Sequence, residues 1–413
     1  MVDAAKLWQR YGTGFISALA GAVVFWVAMR SVGSDWYISQ THADILYTAV
    51  WRFHEFPFFS FVFGGGNYFI QDPQSNLFSI VNPLVLLTGP SNGLRLAEAV
   101  WGGVGCYSFI VWMRRHVSET AAQFGALAWC LSLGVFWRVA VGNDMFLWHL
   151  GLPIFLVLIE RLVQERAWKN AVALGLALGV FLLGPTFHTF TYLLVVTLPL
   201  FGLLMLITER PGLRAFGRIL ALLGGAFILG VVIASPKFAC WTRFPMGRPT
   251  PDPGDADLFD AVRTLVDYTN TAWFKVPLGH RAGRYQWWGI EEGAVALAPP
   301  ATLLVPLGVV VGLWSRKRRA HALFAMVLIA IGLTISSSET VWNFFRELTH
   351  GNFRVALRYH ALPWFGLTVL ATLGADALFN RWPRARAPLA ATFFGGVVAA
   401  AVWWVHTAGH LEV

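Results

Sequence analysis

The sequence predicts an all-α protein that crosses a membrane many times. Three observations predict this. Of 413 residues, 56% are hydrophobic and only 13% are charged, with a mean hydropathy of +0.58; a soluble chain of this length carries roughly twice that share of charge. Apolar runs of about 17–25 residues, long enough to cross a bilayer, recur along the whole chain. Basic residues collect in the short turns between alternate runs, as cytoplasmic loops do.

About eleven transmembrane helices are expected, near residues 14–29, 94–113, 120–137, 145–163, 170–184, 189–207, 217–236, 293–314, 320–336, 359–379 and 388–407. The first follows Lys6 and Arg10 and ends without a small-residue cleavage site, which predicts a retained span rather than a signal peptide. With the N-terminus inside, the inner turns hold Arg114 and Arg115; Arg161, Arg166 and Lys169; Arg210, Arg214 and Arg218; Arg316, Lys317, Arg318 and Arg319; and Arg381, Arg384 and Arg386. Every inner turn is then basic, so the span number is odd and the C-terminus lies outside. This accounts for most of the formal net charge of +9. It also argues against nucleic-acid binding, because the cations sit in separate turns and form no single stripe.

Residues 1–413 read as one transmembrane domain with no soluble C-terminal domain. Three longer segments, near 31–93, 237–292 and 337–358, fall on the outer face, and long ordered loops of this kind tend to carry function. In the first, residues 44–54 are expected to form an interfacial helix with Ile45, Val50 and Phe53 toward the bilayer. Asp44 would begin that helix, where capping of free N–H groups is the alternative to a chemical role. The glycines of F-G-G-G-N open a backbone path barred to other residues, and Asp72-Pro73-Gln74 projects from a turn. The Pro-rich stretch 245–254 has the composition of a lid over the second outer segment.

Several chemistries find no support. HExxH, CxxC and a phosphate-binding G-x-x-x-x-G-K-[ST] loop are all absent from the sequence. Cys106, Cys130 and Cys240 have no metal or redox spacing. His188 reads as a structural histidine at the entry to a span. Most of the 20 tryptophans read as interface anchors, with Trp287 and Trp288 as alternatives lining a groove.

Two residue classes remain. Fourteen of the 31 lysines and arginines are outside the inner set; among them Lys237, Arg243, Arg354 and Arg358 lie close to span ends, and guanidinium forks suit phosphate oxygens. The outer carboxylates include Asp35, Asp44, Asp72, Glu291 and Glu292, with His42 and Gln74 beside them in sequence. One carboxylate near a hydroxyl can act as a general base, and a second can hold a divalent metal such as Mg or Mn.

The order of motifs is similar to one family. A-D-I-L-Y is followed by F-P-F-F-S-F-V-F-G-G-G-N-Y and D-P-Q-S-N-L-F-S-I-V-N-P-L. Then come L-A-W-C-L-S, G-N-D, L-P-I-F-L-V-L-I-E-R, A-S-P-K-F, W-W-G-I-E-E-G-A, and F-R-V-A-L-R-Y with L-G-A-D-A-L. In this order the chain resembles the GT-C superfamily of polytopic membrane glycosyltransferases, in its bacterial branch that uses polyprenyl-phosphate sugars. The resemblance implies a GT-C-like fold with interfacial helices in the first outer loop, in a bacterial inner (cytoplasmic) membrane with the functional loops on the periplasmic side. It implies inverting transfer of a sugar from a polyprenyl-phosphate or diphosphate donor to an acceptor.

By that resemblance Asp44 is the expected base, with Asp35 competing for the role. Asp72, Gln74, His42, Glu291 and Glu292 would contact substrate or metal, and Lys237, Arg243, Arg354 and Arg358 would hold the carrier phosphate. No cofactor other than a divalent metal is implied. The partners implied are the lipid-linked sugar, membrane lipids and a further membrane subunit that supplies acceptor recognition. Two rival readings are a non-catalytic scaffold subunit of a larger membrane complex and a lipid-linked-sugar transporter.

Overall fold

The computed structural model describes residues 36–57, 79–132, 144–184, 187–241, 297–337 and 361–408, together with residues 14, 17–23, 26, 340, 341 and 344. Among these residues there are twelve α-helices and no strand. They are α1 (Trp36–Phe53), α2 (Asn82–Thr88), α3 (Pro90–Met113), α4 (Glu119–Cys130), α5 (Leu152–Glu165) and α6 (Trp168–Leu183), then α7 (Phe187–Glu209), α8 (Leu213–Trp241), α9 (Pro299–Trp314), α10 (Arg319–Ser337), α11 (Ala361–Arg381) and α12 (Arg386–Ala408).

Most of the predicted apolar runs coincide with a helix to within a few residues. The run 145–163 is divided: a 3-10 turn over Asp144–Gly151 precedes α5. Pro153 explains the division, because proline fits the first turn of a helix but cannot continue one that began earlier. The run 293–314 starts late, at Pro299, where two prolines follow an extended Ala298.

Among the described residues, five helices are long and apolar enough to cross a bilayer: Pro90–Met113, Leu147–Glu165, Leu213–Lys237, Ala361–Arg381 and Pro383–Val402. The apolar helices α6 and α9 have 16 residues each; at 1.5 Å per residue each is about 24 Å long, less than the roughly 30 Å hydrocarbon core. On α8, the side chains of Leu220, Phe227, Ile228 and Val232 are exposed. Water does not tolerate a continuous apolar face of this kind, and the chain is a membrane protein.

The helices fall into two compact units. Unit 1 contains residues 1–31, 102–140 and 248–413. Its central element is α11, buried on nearly every side. A Cβ added to Gly308 of α9 would meet the Leu370 carbonyl oxygen, and one on Gly374 would meet that of Leu304. The α9 and α11 backbones therefore touch directly, which is how helices gain packing energy where lipid offers no hydrophobic drive. On another side of α11, Trp364 stacks on Trp129 of α4 at 4.1 Å, and Gly125 leaves room for the Thr372 side chain. Thr368 and Thr372 donate to carbonyls one turn back at 3.0 and 2.8 Å, so their hydroxyls cost little when buried.

Unit 2 contains residues 32–101 and 141–247. Here α6 and α8 pack through Gly175, set against the Ala226 carbonyl, and Gly179, set against Ile233. Beside them Trp101, Trp148 and Phe181 form a triangle with ring separations of 4.7, 5.2 and 5.0 Å. Helices α5 and α7 end in left-handed residues, Arg166 (φ 52°) and Arg210 (φ 44°), which place cations at helix C-termini where the dipole favours them.

Replacing Gly308 with Val is expected to lower stability by about 3 kcal/mol, because the clash is with backbone and cannot be relieved by a rotamer change. Gly395→Ala, at a glycine with nothing within 4 Å of an added Cβ, should leave stability unchanged. Thermal unfolding of the purified proteins in detergent checks both.

Candidate functional site

Residues 36–57 and 79–93, within the first of the long segments, form a platform. Helix α1 begins two turns earlier than expected, because Trp36–Ala43 contains neither Gly nor Pro and Ser39, His42, Ala43 and Leu46 supply a buried face at i, i+3, i+4 and i+7. Asp44 consequently lies in the middle of the helix, and the expectation that it begins and caps one is overturned. Ala43 and Leu46 pack with Val85 of α2 and Leu94 of α3, flanked by Ile45, Val50 and Leu86. Ile45 and Val50 thus meet protein, while Trp51 and Phe53 are exposed.

Two hydrogen bonds fix the platform. Gln40 Nε2 donates to Ser91 Oγ at 2.6 Å, and Trp51 Nε1 donates to the Leu86 carbonyl at 2.9 Å. The chain doubles back between α2 and α3 at Gly89, whose φ of +85° suits glycine. Gly93 completes the fold-back: a Cβ there would meet the Val85 backbone.

Asp44 stands on the exposed side of this helix. Its neighbours still remove enough water to push the carboxyl up from its ordinary value of 3.8. His42, two residues away, points the other way and is buried. These two expected site residues share a helix but lie on different faces of it.

Lys237 is placed unlike an open phosphate ligand. It is 5% exposed, and its Nζ donates to the carbonyl oxygens of Gly184 and, at 3.4 Å, of Leu183. The ammonium thus serves the carbonyls at the C-terminal end of α6, a favourable site for a cation. Asp35, Asp72, Gln74, Arg243, Glu291, Glu292, Arg354 and Arg358 lie outside the described residues, as do Trp287 and Trp288.

Sequence reasoning missed the ionisable groups inside the helices. Glu98 of α3, His149 of the 3-10 turn and Glu160 of α5 are buried in unit 2, and His321 and Asp376 in unit 1. An acid inside an apolar run was the available signal; L-A-E-A-V and G-A-D-A-L both carry it. In unit 1 the His116 and His321 rings face each other at 3.8 Å, a pair that supplies two imidazoles where a structural metal takes four ligands.

Two outcomes follow. Lys237→Met should destabilise the protein by about 1–3 kcal/mol, since it leaves the Gly184 carbonyl without the ammonium, and thermal unfolding reports it. Asp44→Asn should be neutral or slightly stabilising at pH 7, because a carboxyl whose pKa is raised on folding disfavours the folded state once ionised. The difference should close as pH falls below the ordinary value of 3.8, as read from unfolding temperatures across that range.

No family model matches the chain, and no curated protein is significantly similar to it.

Proposed function

We propose that the chain is a GT-C-type glycosyltransferase that takes a sugar from a polyprenyl-phosphate or diphosphate donor at the outer membrane surface. The observation that carries this reading is the α1 platform: an exposed carboxylate, with its pKa pushed up by desolvation, fixed on a helix that is pinned to α2 and α3 by Gln40–Ser91 and Trp51–Leu86. A carboxyl nearer the working pH is a better general base than an ordinary one, and a helix holds it more firmly than a loop does.

In the proposed step Asp44 takes the proton from an acceptor hydroxyl as that oxygen bonds to the anomeric carbon. The bond between that carbon and the donor phosphate oxygen breaks, and the lipid phosphate leaves with the electron pair. Arg243, Arg354 and Arg358 are assigned the phosphate's negative charge. Lys237 is assigned a supporting part, holding the end of α6 beside the start of the second outer segment.

A second reading, a lipid-linked-sugar transporter, is favoured by Glu98 and Glu160, acids buried within helices, which transporters use in their pathways. One assay separates the two. The protein is reconstituted with a labelled polyprenyl-phosphate sugar and a membrane extract as the acceptor source. The transferase reading expects loss of label from the lipid, reduced at least about 100-fold in Asp44→Asn with an unchanged unfolding temperature. Movement of intact label across the bilayer without cleavage establishes the transporter, and undiminished transfer by Asp44→Asn refutes the assignment of the base.

A further inference from the structure

Three turns of unit 1 meet at one end of the bundle: residues 114–118 between α3 and α4, 315–318 between α9 and α10, and 382–385 between α11 and α12. A single buried carboxylate of α11 ties the first two together. Asp376 Oδ1 accepts from the Ser118 backbone N–H at 2.7 Å and from Asn380 Nδ2 at 3.0 Å, and its Oδ2 pairs with Arg318 Nη2. Arg386 Nη2 donates to Thr120 Oγ1 at 2.8 Å, tying the start of α12 to α4.

Around this anchor Arg115, Arg316, Lys317, Arg319, Arg381 and Arg384 are all exposed, against one exposed acid, Glu119, among the described residues of these turns and their flanks. Trp314 and Trp382, at the same end, are 84% and 52% exposed. Tryptophans left in the open beside cations mark the headgroup level of a bilayer. A topology signal needs only positive charge in each turn; it does not need the turns to be drawn together. Asp376 holds two of the turns to α11, whose end leads into the third, and the cations of all three gather at that level.

We propose that these three turns form a docking surface for the headgroups of anionic phospholipids. The charge is complementary to a lipid phosphodiester, guanidinium groups pair with its oxygens, and the tryptophans lie where the glycerol and upper acyl chains would run. Grouped basic residues at a membrane surface bind anionic lipid in proportion to their number. The leaflet concerned is the cytoplasmic one under the orientation expected from the sequence.

The test uses the full-length protein, delipidated in detergent, with phosphatidylglycerol or phosphatidylcholine added and bound lipid counted by native mass spectrometry. Phosphatidylglycerol should bind at least roughly tenfold tighter than phosphatidylcholine. The preference should shrink as salt rises from about 0.05 to about 0.5 M. Replacing the six exposed cations with Gln (R115Q, R316Q, K317Q, R319Q, R381Q, R384Q) should abolish the preference, whereas Arg→Lys at the five arginines should keep it. The unit 2 control R210Q/R214Q/R218Q should also keep it.

Equal affinity for the two lipids in the unaltered protein overturns the proposal. So does an undiminished preference in the Gln variant, or an equal loss in the unit 2 control. Displacement of the lipid by millimolar inorganic phosphate at fixed ionic strength would overturn it in favour of a small-anion site. Should the Gln variant fail to insert, the comparison of lipids with the unaltered protein and the Lys variant still decides.

Discussion

Hydrocarbon cannot hydrogen-bond, and much of this structure follows from that constraint. Each buried backbone or side-chain polar group has to find its partner inside the protein, so the few that are present act as fasteners. Thr368 and Thr372 turn their hydroxyls back onto their own helix. Lys237 gives its ammonium to the carbonyls at the end of α6. Asp376 joins three chain segments that are distant in sequence, with Arg318 supplying the balancing charge. Such a pair costs much to desolvate and more to break, so it specifies which turns meet.

Between these fasteners, small residues set the helix spacing. Gly308 and Gly374 bring α9 against α11, and Gly175 and Gly179 bring α6 against α8. Backbone contact of this kind maximises van der Waals attraction where lipid and side chain are equally apolar. The large rings fill the remaining space, as in the Trp129–Trp364 stack and the Trp101–Trp148–Phe181 triangle. Elsewhere α8 keeps apolar side chains exposed, a surface that lipid covers.

The α1 platform connects this architecture to chemistry. Its buried face carries Ser39 and His42 as well as Ala43 and Leu46, so the helix is held by a mixed seam and by the Gln40 and Trp51 hydrogen bonds. That mixture made its start illegible: two polar residues on the inner face break the apolar period, and the helix reads as beginning only at Asp44. The consequence for function is direct. A carboxylate at a helix start is usually occupied with capping, whereas one in mid-helix on the open face is available to a substrate.

By itself the sequence determined the apolar, membrane-type helices, the positions of most of them and the basic character of the short turns between them. Those properties depend on composition and local period, and a bilayer reads them directly. The split of residues 144–165 into a 3-10 turn and a helix departs from the single span expected there, because the apolar run continues unbroken through Pro153. Only the tertiary structure decided that Lys237 faces a helix end, that Asp376 ties two distant turns to α11, and that Asp44 and His42 point to different faces of α1. These are outcomes of which surfaces meet, and the pairing of residue 118 with 376, or of 237 with 184, leaves no periodic trace along the chain.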